Sequence, residues 1–181
     1  MTRTVLVVCT ANVCRSPMAA GLLARELRAG GSSTVVKSAG THAVDAPAAP
    51  EAVAAVAGLG ADIADHRAQL LSHADLDAAG IVLVMERAHV AHVVATAPDA
   101  FGHTFCLREL AARAEDRGAR RAGEGFDEWL ARVHRGRRAS DVLRGGGDLD
   151  VTDPIGQDRD AFERCARELD ELTRAVAPLV A

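Results

Sequence analysis

Val5-Leu6-Val7-Val8-Cys9-Thr10-Ala11-Asn12-Val13-Cys14-Arg15-Ser16 opens this chain, with Pro17-Met18-Ala19-Ala20-Gly21-Leu22-Leu23 directly behind it. Four apolar, mostly β-branched residues read as a short buried strand, and a proline in a first turn followed by small and apolar residues reads as a helix start. The loop between them therefore ends at a helix N-terminus. Unpaired N–H groups and the positive end of the helix dipole favour an anion there, either a Cys9 thiolate or a phosphate above it. Arg15 supplies a planar fork of donors that grips two oxygens of an oxyanion and favours the ionised thiol. Ser16 has a hydroxyl to donate to that thiolate. Asn12 tolerates a left-handed backbone, which turns successive N–H groups inward as a nest over residues Thr10, Ala11, Asn12, Val13, Cys14 and Arg15. This donor set needs no metal or cofactor.

Working outward, strand and helix signals alternate. Strands are expected at Val5–Val8, Thr34–Lys37, Ile81–Met85 and His103–Cys106, and helices from Pro17 to about Ala29, Pro50 to about Leu59 and Glu86 to about Ala97. Such alternation argues an α/β fold, one three-layer domain over residues 1–181 with a four-stranded parallel sheet, helices on both faces and right-handed crossovers. The Cys9 loop then lies at the C-terminal edge of the sheet, where open α/β folds bind ligands. The 181 residues, 49% hydrophobic, suffice to bury about 70% of the unfolded surface in one core.

The loop resembles the signature of the low-molecular-weight protein tyrosine phosphatases, Cys-x-Gly-Asn-x-Cys-Arg-Ser after a hydrophobic strand. Ala11 stands where that family usually has glycine. Four further stretches match in family order: Ser38-Ala39-Gly40, Asp65-His66-Arg67-Ala68, the third strand ending in Met85-Glu86, and the chain's one Asp-Pro pair, Asp153-Pro154. The resemblance implies a phosphocysteine mechanism with Cys9 as nucleophile, Arg15 as phosphate clamp and Asp153 as general acid. It also implies that Ser38 and His66 join a hydrogen-bond network holding Asn12, and that Cys14 forms a reversible bond with Cys9 under oxidation. Implied partners are a phosphotyrosine protein or another aryl phosphate monoester, with inorganic phosphate as product and competitive ligand. An arsenate reductase on the same fold is the competing enzyme; its thioredoxin-linked forms need further cysteines soon after the third strand, where Met85-Glu86-Arg87-Ala88 has none. A non-catalytic phosphate or phosphopeptide binding module is the alternative outside enzymology.

Many members of that family carry one or two aromatic residues after Asp-Pro and another in the loop after Ser-Ala-Gly, where the rings sandwich a phenyl phosphate. Here Ile155-Gly156 and Thr41-His42-Ala43-Val44 occupy those places, and there is no tyrosine anywhere. Ile155 and His42 are therefore the expected substrate rim. An Arg-rich insertion lies at about 113–150. Residues 113–144 hold nine arginines against six acids, locally +3 in a chain of net charge -4. Within it Phe126, Trp129, Leu130 and Val133 recur at helical spacing. The plain expectation is an extra helix with solvated arginines; the functional one is a cap over the site, tethered through Gly145-Gly146-Gly147, that brings Trp129 to the rim.

The same chain offers weaker signals. Cys9 and Cys14 have a spacing zinc uses, but no second Cys or His pair stands nearby to close a tetrahedron. His89 and His92, one turn apart, have no third ligand in view and read as a solvated helix face. The net charge argues for neither nucleic acid nor membrane as partner, and no apolar run approaches bilayer length. Met1-Thr2-Arg3-Thr4 runs straight into a strand, so no signal peptide is expected, and four cysteines fit a reducing cytoplasm.

Overall fold

The structure, a computed structural model, describes residues 3–42, 45–140 and 149–181. Four strands, β1 (Thr4–Cys9), β2 (Val35–Gly40), β3 (Ile81–Val84) and β4 (Thr104–Cys106), form a parallel sheet in the order β2-β1-β3-β4. The chain steps from β1 to β2 on one side and returns to β3 on the other. That reversal opens a crevice at the C-terminal end of β1, and Cys9 is the last residue of that strand.

Period-two alternation sorts β1 between two cores. Val5, Val7 and Cys9 face one cluster together with Leu22 and Leu23 of α1 (Arg15–Ala29), Val56 of α2 (Pro50–Ala57) and Leu169 of the C-terminal helix. Leu6 and Val8 face the other, with Leu76 of α3 (His73–Ala78) and Val90 and Val93 of α4 (Arg87–Thr96). A 3-10 turn (Pro98–His103) leads to β4, followed by α5 (Leu107–Arg117), α6 (Phe126–His134) and the long α7 (Arg159–Val180).

Strand β2 and helix α3 differ from the sequence reading for physical reasons. Strand β2 runs on to Gly40 because Ser38, Ala39 and Gly40 pair with Val7, Val8 and Cys9. Cross-strand pairing overrides the weak β propensity of those small residues. The short α3 is capped reciprocally by Ser72 and Asp75, a signal the sequence carries but that has no long apolar period to announce it.

The insertion is packed rather than loose. Trp129 is fully buried, its indole N–H donates to the Gly118 carbonyl at 3.3 Å, and its ring tilts against Phe126. The expectation that Trp129 reaches the substrate rim is therefore corrected: its apolar stripe is consumed by the core. The arginines divide: Arg117, Arg121, Arg135 and Arg138 are exposed as expected, whereas others are tied into the fold. Arg137 is buried in a bidentate pair with Glu109 (2.6 and 2.9 Å) and stacks over Phe105, and Arg113 donates to the Val133 carbonyl at 2.8 Å. The Gly145-Gly146-Gly147 tether lies outside the described residues.

Candidate active site

Between β1 and α1 the chain forms a loop in which the carbonyls of Cys9, Thr10, Asn12, Val13 and Cys14 turn outward. Those of Cys9, Thr10 and Val13 accept from the backbone N–H groups of Thr41 (3.0 Å), His42 (2.8 Å) and Ala49 (2.7 Å). The Asn12 carbonyl pairs with His66 Nε2 at 2.7 Å and that of Cys14 accepts from Met18 N at 3.0 Å. Across a trans peptide the C=O and the next N–H point in opposite directions. The amides of Thr10, Ala11, Val13, Cys14 and Arg15 are thus aimed the other way, into the loop. The Asn12 amide faces the Cys9 sulfur, 3.3 Å from Sγ.

Asn12 holds this curl. It is the one non-glycine residue with positive φ (56°) among the described residues, and Ala11 takes an ordinary φ, so alanine in place of glycine fits. The Asn12 side chain donates to Ser16 Oγ (2.8 Å) and Ser38 Oγ (2.9 Å), and its Oδ1 accepts from the Gln69 amide at 2.9 Å. Ser16 Oγ, already accepting from Asn12, has its own proton left for Cys9 Sγ, 2.9 Å away. Gly40 lets β2 press against the loop. A Cβ there would stand 2.7 Å from Thr10 O and 3.0 Å from Ala11 C. Helix α1 has Cys14 at its N-cap with no side-chain hydrogen bond to its first turn.

Arg15, 1% exposed, reaches across to the loop that carries Asp153. It is paired with Glu86, donates to the Val151 carbonyl at 3.0 Å and meets Asp153 Oδ2 at 2.5 Å. Burial alone would lower the guanidinium pKa. Glu86, Asp153 and Cys9 outweigh it and hold Arg15 more firmly charged than usual. The Asp153 loop is stitched to β3 by Val151 N on Met85 O (2.8 Å) and to α4 by Asp150, which accepts from the Arg87 amide at 2.8 Å and its side chain at 3.0 Å. The remaining Asp153 oxygen accepts from Ile155 N at 3.1 Å. Burial pushes the Cys14 thiol pKa well up, with nearby Cys165, Asp153 and Cys9 adding to it.

The profile described as "Low molecular weight phosphotyrosine protein phosphatase" matches residues 4–120. The chain belongs to that family. The probable low molecular weight protein-tyrosine-phosphatase EpsP of Ralstonia solanacearum is 39% identical over 137 residues, 75% of this chain and 92% of that protein. The crystal structure of the low molecular weight protein tyrosine phosphatase of T. tengcongensis superposes with a TM-score of 0.74 at 30% identity, covering 97% of each chain. The YwlE arginine phosphatase of Geobacillus stearothermophilus superposes with a TM-score of 0.71 at 28% identity, over 97% of this chain and 90% of that one. Cysteine-based chemistry is general to the low molecular weight phosphatases.

The structure thus joins Cys9, Asn12, Ser16, Ser38 and His66 in one hydrogen-bonded network and pairs Arg15 with Asp153 in a second one. Ile155, 49% exposed, stands beside the acid, and His42 is exposed next to the loop, its ring 5.9 Å from that of His92. Ala43 and Val44 lie outside the described residues. Three contributors escaped the sequence reading. Glu86 reads in the sequence only as the end of a strand, Gln69 acts through its backbone, and His89 reads as part of a solvated face. His89 is instead 3% exposed, with Nε2 3.0 Å from Thr10 Oγ1 and Nδ1 accepting from the Glu86 amide at 3.1 Å. A glutamate followed three residues later by a histidine at a helix start is the one signal that could have found it. A cleft of about 680 Å³ lies on the other side of the Asn12 network, where Ser38 and His66 line it. Among the described residues no group of three or more His, Cys, Asp or Glu is arranged to hold a metal ion, and no helix is long and apolar enough to cross a membrane.

Proposed function

We propose that this chain is a metal-independent phosphomonoester hydrolase acting on phosphotyrosine proteins or related aryl phosphates, with Cys9, Arg15 and Asp153 as its catalytic groups. The observation that carries the reading is the Cys9 sulfur with two donors on it, Asn12 N–H at 3.3 Å and Ser16 Oγ at 2.9 Å. Two hydrogen bonds favour a thiolate, the nucleophilic form. In the first step the thiolate attacks phosphorus in line, an S–P bond forms and the P–O ester bond breaks. Asp153, protonated, gives its proton to the departing phenolate oxygen. The inward amides of residues 10 to 15 and the Arg15 fork stabilise the equatorial oxygens of the transition state. Arg15 exchanges its contact with Asp153 for one with the phosphoryl group, which frees the acid for its task. Water then attacks the phosphocysteine while Asp153 takes up its proton, releasing inorganic phosphate and restoring the thiolate. Phosphate is accordingly a competitive ligand. Ser38 and His66 act through Asn12 rather than on the substrate.

The test runs phosphotyrosine peptide, an alkyl phosphate, phosphoarginine peptide and arsenate with a thiol side by side, on the wild type and on Cys9→Ser. Phosphoarginine is included because a relative is named for it. Aryl phosphate turnover that disappears in Cys9→Ser, while inorganic phosphate still binds, is the expected result. Turnover unchanged in that variant refutes the assignment. A wild type that only reduces arsenate, or binds phosphopeptide without turnover, selects one of the competing functions.

A further inference from the structure

The two histidines of α4, one turn apart, meet different neighbours: His89 reaches Thr10 of the phosphate loop and His92 approaches His42. The His92 ring lies 5.9 Å from that of His42, tilted at 55°. The bonding of His89 is directional. Its Nδ1 accepts from the Glu86 amide at 3.1 Å, so in the neutral ring the proton sits on Nε2, which faces Thr10 Oγ1 at 3.0 Å. Burial keeps the ring neutral, lowering its pKa to about 4, with the Arg15 charge acting the same way and Glu86, Asp150 and Asp153 against it. Thr10 Oγ1 is therefore the acceptor in this pair. A hydroxyl has a single proton, and this one is not used on His89. Thr10 follows Cys9 directly, its carbonyl is fixed outward on His42 N at 2.8 Å, and the residue is exposed at the mouth of the loop.

We propose that His89 is a positioning residue that orients the Thr10 hydroxyl as an additional hydrogen-bond donor to the oxyanion held in the loop. This rests on the phosphate-binding reading of the loop and adds a side-chain donor to the amides and Arg15. A hydrogen bond to a charged group is strong enough that its loss weakens anion binding by about tenfold or more.

Calorimetric titration with inorganic phosphate, on a series of variants whose folding is followed by urea denaturation, tests it. His89→Ala and Thr10→Val should each lose about tenfold in phosphate affinity. The double variant should lose no more than either, because both remove one donor. Glutamine places an amide N–H near the position of Nε2, and asparagine places an acceptor near that of Nδ1. His89→Gln should therefore restore most of the affinity, and His89→Asn should not. The proposal is overturned if His89→Asn recovers binding and His89→Gln does not, since the role is then the cap on Glu86. It is equally overturned if Thr10→Val, a change at an exposed residue, binds phosphate as the wild type does. A wild type that binds phosphate but turns over no aryl phosphate refutes the hydrolase reading alone and leaves the variant series to decide the role of His89.

Discussion

Gly40→Ala is the smallest change that separates the sheet's support of the loop from the loop's own chemistry. The added methyl would lie 2.7 Å from Thr10 O and 3.0 Å from Ala11 C and Asn12 N, against ordinary contact at 3.4 Å and beyond. All three neighbours are backbone, so no rotamer change relieves the overlap. Either β2 or the loop must retreat by about 0.7 Å, the difference between 3.4 and 2.7 Å. Gly40 has no positive φ, so the effect is steric rather than conformational. Overpacking of this kind costs about 1–3 kcal/mol of stability. The loss in function should be larger, because displacement of a catalytic framework by about 1 Å can cost on the order of 100-fold. We expect a fall of about 2 kcal/mol in urea unfolding and of about 10- to 100-fold in kcat/KM for p-nitrophenyl phosphate. Gly102→Ala, where a Cβ meets nothing within 4 Å, is the control and should leave both unchanged. A Gly40→Ala protein with wild-type kcat/KM and phosphate affinity would show that contact with β2 does not set the loop.

Asp153→Asn should slow the first step most for substrates with poor leaving groups and least for p-nitrophenyl phosphate, whose leaving group needs little protonation; a uniform loss would remove Asp153 from the acid role. The His89 pKa, near 6.5 in the unfolded chain, falls to about 4 on folding, so its contribution is complete above pH 6.5 and is lost as pH drops toward 4, by about 3 kcal/mol at most. Denaturation curves against pH for wild type and His89→Gln should diverge across that window, and parallel curves would contradict it. Trp129→Ala should cost about 3–5 kcal/mol in stability with the ranking of peptide and small aryl substrates intact, whereas a selective rise in peptide KM would return the insertion to the rim. Peroxide should inactivate the protein reversibly, phosphate should protect it, and Cys14→Ser should recover less well with thiols; equal recovery would leave Cys14 structural.

Local chemistry was sufficient for much of this protein. A four-residue apolar strand, a cysteine at its end, an asparagine able to turn left-handed, and an arginine and serine at a helix start announce the strand-loop-helix unit and the proposed anion site in it without reference to the rest of the chain. Alternating strand and helix signals likewise announce the parallel sheet, because each element's period is a property of its own residues. The spacing of Phe126, Trp129, Leu130 and Val133 foretold α6 but not its destination, since an amphipathic stripe states that a face is buried and not against what. Glu86, His89 and Asp153 stand far from the loop in sequence, and only the crossover returning β3 beside β1 brings Glu86 and the Asp153 loop onto Arg15, and His89 onto Thr10. Their roles are contacts between distant segments, and such contacts exist only once packing has chosen which side of β1 each segment occupies.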